Sequence, residues 1–256
     1  MRHILFSAAA CAALAFRRRL YRPAFRRDLL CEDTRMRLCF INPNSTASMT
    51  DKVAIAARAA ASAGTEIVAL TSTTGPASIQ GPEDGDAAVP GLLTLIAEHA
   101  EAMDGFAIAC FDDTGLFEAR RLTGKPVVGI GEAAFVQAMA GGRKFSVVTT
   151  LSVSIPVIAG NIETYGFMPS CAKVRASEVP VLALEEAGSA ARETVAAEIG
   201  RAIAEDAPDA IVLGCAGMAD LTEDYAKRFG LPVIDGVVAA VGLLESRILA
   251  DKAGNA

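Results

Sequence analysis

Two cysteines in matching sequence settings, Cys110 and Cys215, are the residues best placed to do chemistry in this chain. The first ends Gly105-Phe106-Ala107-Ile108-Ala109-Cys110 and opens into Phe111-Asp112-Asp113. The second ends Asp209-Ala210-Ile211-Val212-Leu213-Gly214-Cys215 and opens into Ala216-Gly217. A short apolar run that closes in a turn reads as a buried strand, so each thiol is expected at a strand's exit. A thiol has a reference pKa of about 8.5, and a helix N-terminus favours its thiolate. Cysteines at two strand-to-helix turns are therefore expected to exchange protons near neutral pH. One such cysteine can act as a nucleophile. Two that approach one carbon from opposite sides can act as base and conjugate acid, which is what inverting a stereocentre without a cofactor requires. The plainer account, a small buried apolar residue, suits a cysteine taken singly. Equivalent placement favours a shared site. Cys11, Cys31, Cys39 and Cys171 have no such counterpart and read as structural or incidental.

The elements that must hold these thiols form an internal repeat, which has to be found before any architecture is assigned. Residues 37–41, followed by Asn42-Pro43-Asn44-Ser45-Thr46, correspond to residues 144–148, followed by Thr149-Thr150-Leu151-Ser152. Residues 66–70 correspond to 172–176, the two cysteine strands follow, and 125–129 correspond to 231–235, all at offsets of about 106. Helical stretches are expected at 50–63, with Ser48 or Thr50 as N-cap and Gly64 as stop, and at 90–103, 132–139, 192–205 and 237–249. Alternating strands and helices favour parallel sheets covered on both faces. The expected fold is α/β, with two pseudo-symmetric lobes, 36–141 and 142–236. Each carries a four-stranded parallel sheet flanked by helices, and residues 237–256 pack back toward the first lobe. Ligands gather at the carboxyl ends of such strands. Both cysteines and the turns at Asn44 and Thr149 fall there, so the active site is expected in the cleft between lobes.

Composition narrows the remaining choices. A chain of 256 residues with 52% hydrophobic and 21% charged side chains is globular. Six widely spaced cysteines suit reduced thiols and a cytoplasmic setting. Residues 1–35 hold eight of the 24 Lys and Arg against three acids, so the remainder carries 16 basic and 27 acidic residues, a balance of −11. An acidic body does not favour nucleic acid. The basic arm, residues 1–35, reads as a weakly structured extension rather than a secretory signal or a membrane-binding tail, and its 13-residue apolar stretch, 4–16, is too short to span a bilayer. With only His3 and His99, neither a histidine-rich metal site nor a Ser-His-Asp triad is expected. Gly129-Ile130-Gly131-Glu132 matches a loose dinucleotide pattern, but it follows the fourth strand of its lobe and lacks the later acidic residue, so a tight turn with close packing is the better account. Asn44-Ser45-Thr46 matches a glycosylation pattern without meaning for a cytoplasmic chain. Asp112, Asp113 and Glu118 are expected to complement a helix dipole, with an orienting role open to Asp112.

Five separated segments, in order, resemble the hydantoin racemase branch of the aspartate/glutamate racemase superfamily. They are Ile41-Asn42-Pro43-Asn44-Ser45-Thr46, Gly75-Pro76-Ala77-Ser78-Ile79, Ala109-Cys110-Phe111-Asp112-Asp113-Thr114-Gly115-Leu116, Ser146-Val147-Val148-Thr149-Thr150 and Leu213-Gly214-Cys215-Ala216-Gly217-Met218. The resemblance covers about residues 36–245. It implies cofactor-independent racemisation by Cys110 and Cys215, a small-molecule substrate, no metal, and a homo-oligomer. Amino-acid racemases of the superfamily carry Asn-Thr and Thr-His after their cysteines. Phe111-Asp112 and Ala216-Gly217 stand there instead, which favours a neutral ring amide, a 5-monosubstituted hydantoin or allantoin. Loss of the C5 proton places charge on a carbonyl oxygen, which fixed donors stabilise. Asn44, Ser45, Thr149 and Thr150, with the backbone N–H groups of Phe111 and Ala216, are the expected donors, although turn and cap chemistry also explains those residue types. Two rivals stay open at this point: another reaction of the superfamily, such as amino-acid racemisation or dicarboxylate decarboxylation or isomerisation, and a binding protein that closes on a metabolite without chemistry.

Overall fold

The structure, a computed structural model, describes residues 35–186 and 190–254. The basic arm, with Cys11 and Cys31, lies outside the described residues. The first lobe holds β1 (Met36–Asn42), α1 (Ala47–Ala60), β2 (Thr65–Thr71), α2 (Pro82–His99), β3 (Gly105–Ile108), α3 (Leu116–Leu122), β4 (Val127–Gly129) and α4 (Ile130–Ala138). The second holds β5 (Phe145–Thr149), α5 (Ile155–Thr164), β6 (Cys171–Ala176), α6 (Ala191–Asp206), β7 (Ala210–Gly214), α7 (Thr222–Phe229), β8 (Val233–Asp235) and α8 (Gly236–Gly254). All strand pairs are parallel, and the orders β2-β1-β3-β4 and β6-β5-β7-β8 are the same pattern twice. The two-sheet α/β fold expected from the repeat is therefore the one observed. Among the described residues no helix is long and apolar enough to cross a membrane.

This strand order fixes where the chemistry sits. From β1 the chain crosses to β2 on one side, and β3 then pairs on the other, so a crevice opens at the carboxyl ends of β1 and β3; β5 and β7 repeat the arrangement. The Asn44 turn and Cys110 follow the first pair of strands, and Thr150 and Cys215 follow the second. Every residue of β3 and β7 is buried, because helices cover both faces of a central parallel strand. Edge strands β2 and β6 are only partly buried.

One hydrophobic core runs through both lobes, joining Phe40, Ala107 and Phe135 of the first to Phe145, Val147 and Val212 of the second, with Val241 and Leu244 of α8. Phe135 stacks on Phe145 at 5.5 Å between ring centroids, and Phe111 meets Phe135 edge-on at 5.5 Å. Helix α8 is tied to the first lobe by Glu245, which accepts from Ser62 Oγ and Thr65 Oγ1, each at 2.7 Å.

The helices expected at 50 and 90 begin well before those positions. Helix α1 starts at Ala47 because Asn44 Oδ1 accepts the Thr46 N–H at 2.9 Å, turning the chain before Ser48 or Thr50 can cap it. Helix α2 starts at Pro82 and runs through Pro90. Both prolines suit a first helical position, and the exposed Pro90 sits within the helix as an interior residue.

Candidate active site

Each cysteine begins the same small turn. The carbonyl of Cys110 accepts the Asp113 N–H at 3.0 Å, and that of Cys215 accepts the Met218 N–H at 3.1 Å. The N–H two residues on, from Asp112 and from Gly217 respectively, is directed at the sulfur. Thr114 Oγ1 also donates to Cys110 Sγ at 3.6 Å. Both thiols line one cavity of about 30 Å³, and they are close enough that the charge of one opposes ionisation of the other.

Asn44, Phe111, Thr149, Thr150 and Ala216 line this cavity with the two cysteines. Ser45 does not: it is exposed, and its hydroxyl bonds the Pro76 carbonyl at 3.2 Å. Thr149 Oγ1 donates to the Gly214 carbonyl at 2.9 Å, which binds the two central strand ends together. Asn44 Oδ1 accepts from Asn42 Nδ2 at 2.9 Å, so its amide is held by the turn it shapes. The Phe111 ring packs edge-on against Phe135, in the core that joins the lobes.

Sequence reading missed Met49, Ile79, Ser154 and Val181, which complete the wall. Ile79 follows β2, and Val181 lies in the matching connection after β6, in the 3-10 turn Val181–Glu185. Carrying the repeat beyond its strands would have paired these two connections. That turn is fastened to the first lobe: Lys52 Nζ of α1 donates to the Leu184 carbonyl at 3.2 Å and stands 2.8 Å from Glu185 Oε1, and Gln80 Oε1 accepts the Val181 N–H at 3.4 Å. The Lys52–Glu185 pair is a charge contact whose angle makes no hydrogen bond to that oxygen.

The expected lowering of the thiols by helix N-termini does not hold. Helix α3 starts only at Leu116, and Cys215 leads into the 3-10 segment Ala216–Leu221 rather than an α-helix. Burial dominates instead: it pushes Cys215 up to about 11 and Cys110 higher still, with the Asp112 charge adding to the effect on both. Asp112 is itself pushed up to about 6 by burial, against the bond from Ser154 Oγ at 3.3 Å.

Asp113 serves a different helix from the one expected. Its φ of 49° turns the carboxylate onto the start of α4, where it accepts the N–H groups of Gly131 at 2.8 Å and Glu132 at 2.7 Å, with Tyr165 Oη at 2.8 Å. This contact explains the Gly-Ile-Gly pattern. A Cβ at Gly129 would lie 1.9 Å from Asp113 Oδ1, and one at Gly131 would lie 2.5 Å from the Phe111 carbonyl, so the glycines admit Asp113 rather than a dinucleotide.

The family model for Asp/Glu/Hydantoin racemase matches residues 38–244. The chain is 47% identical over 212 residues to a hydantoin racemase of Rhizobium meliloti, covering 82% of this chain and 88% of that protein. It is 40% identical over 212 residues to a hydantoin racemase of Pseudomonas sp. strain NS671, covering 82% and 85%. An allantoin racemase structure from Klebsiella pneumoniae superposes with a TM-score of 0.81 at 42% identity, covering 84% of this chain and 89% of that one.

Proposed function

Because the chain belongs to the Asp/Glu/Hydantoin racemase family and is a racemase, we propose that it inverts C5 of hydantoin-type rings, 5-monosubstituted hydantoins or allantoin, by a two-thiol mechanism. The observation that carries this reading is the pair of matched turns that present Cys110 and Cys215 to one cavity. One cysteine, as thiolate, removes the C5 proton from one face, and the other, as thiol, returns a proton to the opposite face. The enolate formed between these steps carries its charge on the C4 oxygen. Backbone N–H groups at Phe111 and Ala216, with Asn44 and Thr150, are suited to stabilise it. Apolar walls from Met49, Ile79 and Val181 exclude water and strengthen those contacts.

Polarimetry with the separate enantiomers of benzylhydantoin, methylhydantoin and allantoin tests the substrate class. Optical decay with at least one ring is expected, and decay with none would reject it. For the mechanism, Cys110→Ser and Cys215→Ser should each abolish racemisation in both directions, while each retains deuterium exchange at C5 of one enantiomer, a different one for each variant. Full racemisation by both single variants would overturn the two-thiol mechanism.

A further inference from the structure

Besides its sulfurs, the cavity is lined by two further pairs of residues that take one member from each lobe, and the pairs differ in chemistry. The turns that leave β1 and β5 bring Asn44 and Thr150, which are polar. The connections that leave β2 and β6 bring Ile79 and Val181, which are apolar and buried. Gln80 ties the second pair together across the lobes. Its N–H is accepted by Asp84 Oδ2 at 2.9 Å, which fixes the chain just beyond Ile79, and its Oε1 accepts the Val181 N–H at 3.4 Å. Met49 of α1 adds a third buried apolar side chain to the lining.

The reaction divides a substrate in the same way. Loss of the C5 proton leaves C5 trigonal, with N1, C4 and the substituent in one plane and a sulfur on either side of it. The substituent therefore keeps one place in the cavity whichever hand enters. A hydantoin ring concentrates its amide groups on the other side of C5, and buried amide groups need partners. Asn44, Asp112, Thr150 and Ser154 form the polar part of the lining and suit the ring. The apolar pair is left for the substituent.

We propose that Ile79 and Val181, held by Gln80, form the wall against which the C5 substituent packs, and that they select aliphatic substituents over polar ones; the inference rests on the two-thiol reading above. The two side chains are hydrocarbon, so they offer contact and no hydrogen bond. An isobutyl group and the ureido group of allantoin have the same number of heavy atoms, branched at the same position. They fill similar space, but the ureido group gives up the water bonds of its carbonyl and N–H groups and receives none from this wall. Substituent polarity, rather than size, is what the wall reads in this pair of rings.

Polarimetric kinetics with 5-isobutylhydantoin and allantoin at pH 7 test the proposal. The wild-type KM should be lower for the isobutyl ring by about tenfold or more. Val181→Thr keeps the shape of the wall and exchanges a methyl group for a hydroxyl. It should raise the kcat/KM ratio of allantoin to isobutylhydantoin about fivefold. Ile79→Thr alters the wall from the other lobe, should move the ratio in the same direction, and serves if the first variant does not fold. The change in ratio cancels the different C5 acidity of the two rings. A residue that only supports the fold slows both substrates alike and leaves the ratio where it was. A wild-type KM lower for allantoin, or a ratio within about twofold of wild type in either folded variant, would overturn the proposal. If allantoin is racemised in preference, the two-thiol reading stands and only the wall is wrong. If no ring is racemised, the underlying reading falls first.

Discussion

Lys52 of the first lobe and Glu185 of the second meet at 2.8 Å, fastening helix α1 to the 3-10 turn whose Val181 walls the thiol cavity. Both side chains are mostly buried, at 23% and 16% exposure, so this contact is screened less than a surface pair. Lys52 also favours the Cys215 thiolate. Lys52→Met should therefore lower kcat/KM by about twofold to fivefold, the scale of an ion pair worth up to about 1 kcal/mol. Polarimetric kinetics check the loss, and alkylation of Cys215 should shift to higher pH in parallel.

Stability should fall as the pH rises from 5.5 to 8. Burial pushes Asp113 up to about 7 in the fold, well above an unfolded carboxylate. Between those two values the folded chain holds a proton that the unfolded chain has released, so this group's contribution is fully present at low pH and lost as the pH passes through about 7. Asp112 and Asp235, each pushed up to about 6 by burial, act in the same direction. The free energy of unfolding in urea should be lower at pH 8 than at pH 5.5 by on the order of 2 kcal/mol. In Asp113→Asn the difference should shrink. Equal stability at the two pH values in wild type would contradict the assignment.

Arg175 on β6 bonds Glu198 at 3.3 Å, Glu205 at 2.6 Å and Asp206 at 2.6 Å. Arg175, Glu198 and Asp206 are all buried, and the guanidinium holds Asp206 below the usual carboxylate range. Removing the cation leaves the buried Asp206 without its ion-pair partner, while Glu198 keeps Arg201, so Arg175→Met should destabilise the fold by about 3 kcal/mol. The network lies on the edge strand, away from the thiols, and kcat of the folded variant should be unchanged. Denaturant titration and kinetics at 15 °C separate the two effects, the temperature chosen at about that of maximum stability for typical domains.

Much of this architecture could be read from the repeat, because strands and helices alternate in the same sequence in both halves, whereas the spatial order of the strands came only with the structure. Cys110 and Cys215 were legible for the same reason, and Asn44 and Thr150 came with them as the turns at the first strand of each lobe. What sequence did not reveal was depth. The thiols are shifted up, not down, because the opposite lobe closes over them, and no local pattern reports desolvation by residues 100 positions away. Pro90 looked like a helix start because nothing in its neighbours distinguishes a first-turn proline from one within an exposed helix face. Ser45 looked equivalent to Asn44 by type and position, yet successive residues of a turn point to different sides, and only one of them faces the cavity.

The cavity that both sulfurs line takes its wall from the two lobes, Met49 and Ile79 on one side and Val181 on the other, tied by the Lys52–Glu185 contact. A ring held between two such walls is released only when they part, so admission and escape each demand a breathing excursion of the lobes. For a substrate whose C5 proton is readily lost, these excursions rather than bond-breaking should set the pace. Sucrose or another viscogen should then slow kcat for fast rings and leave slow ones untouched.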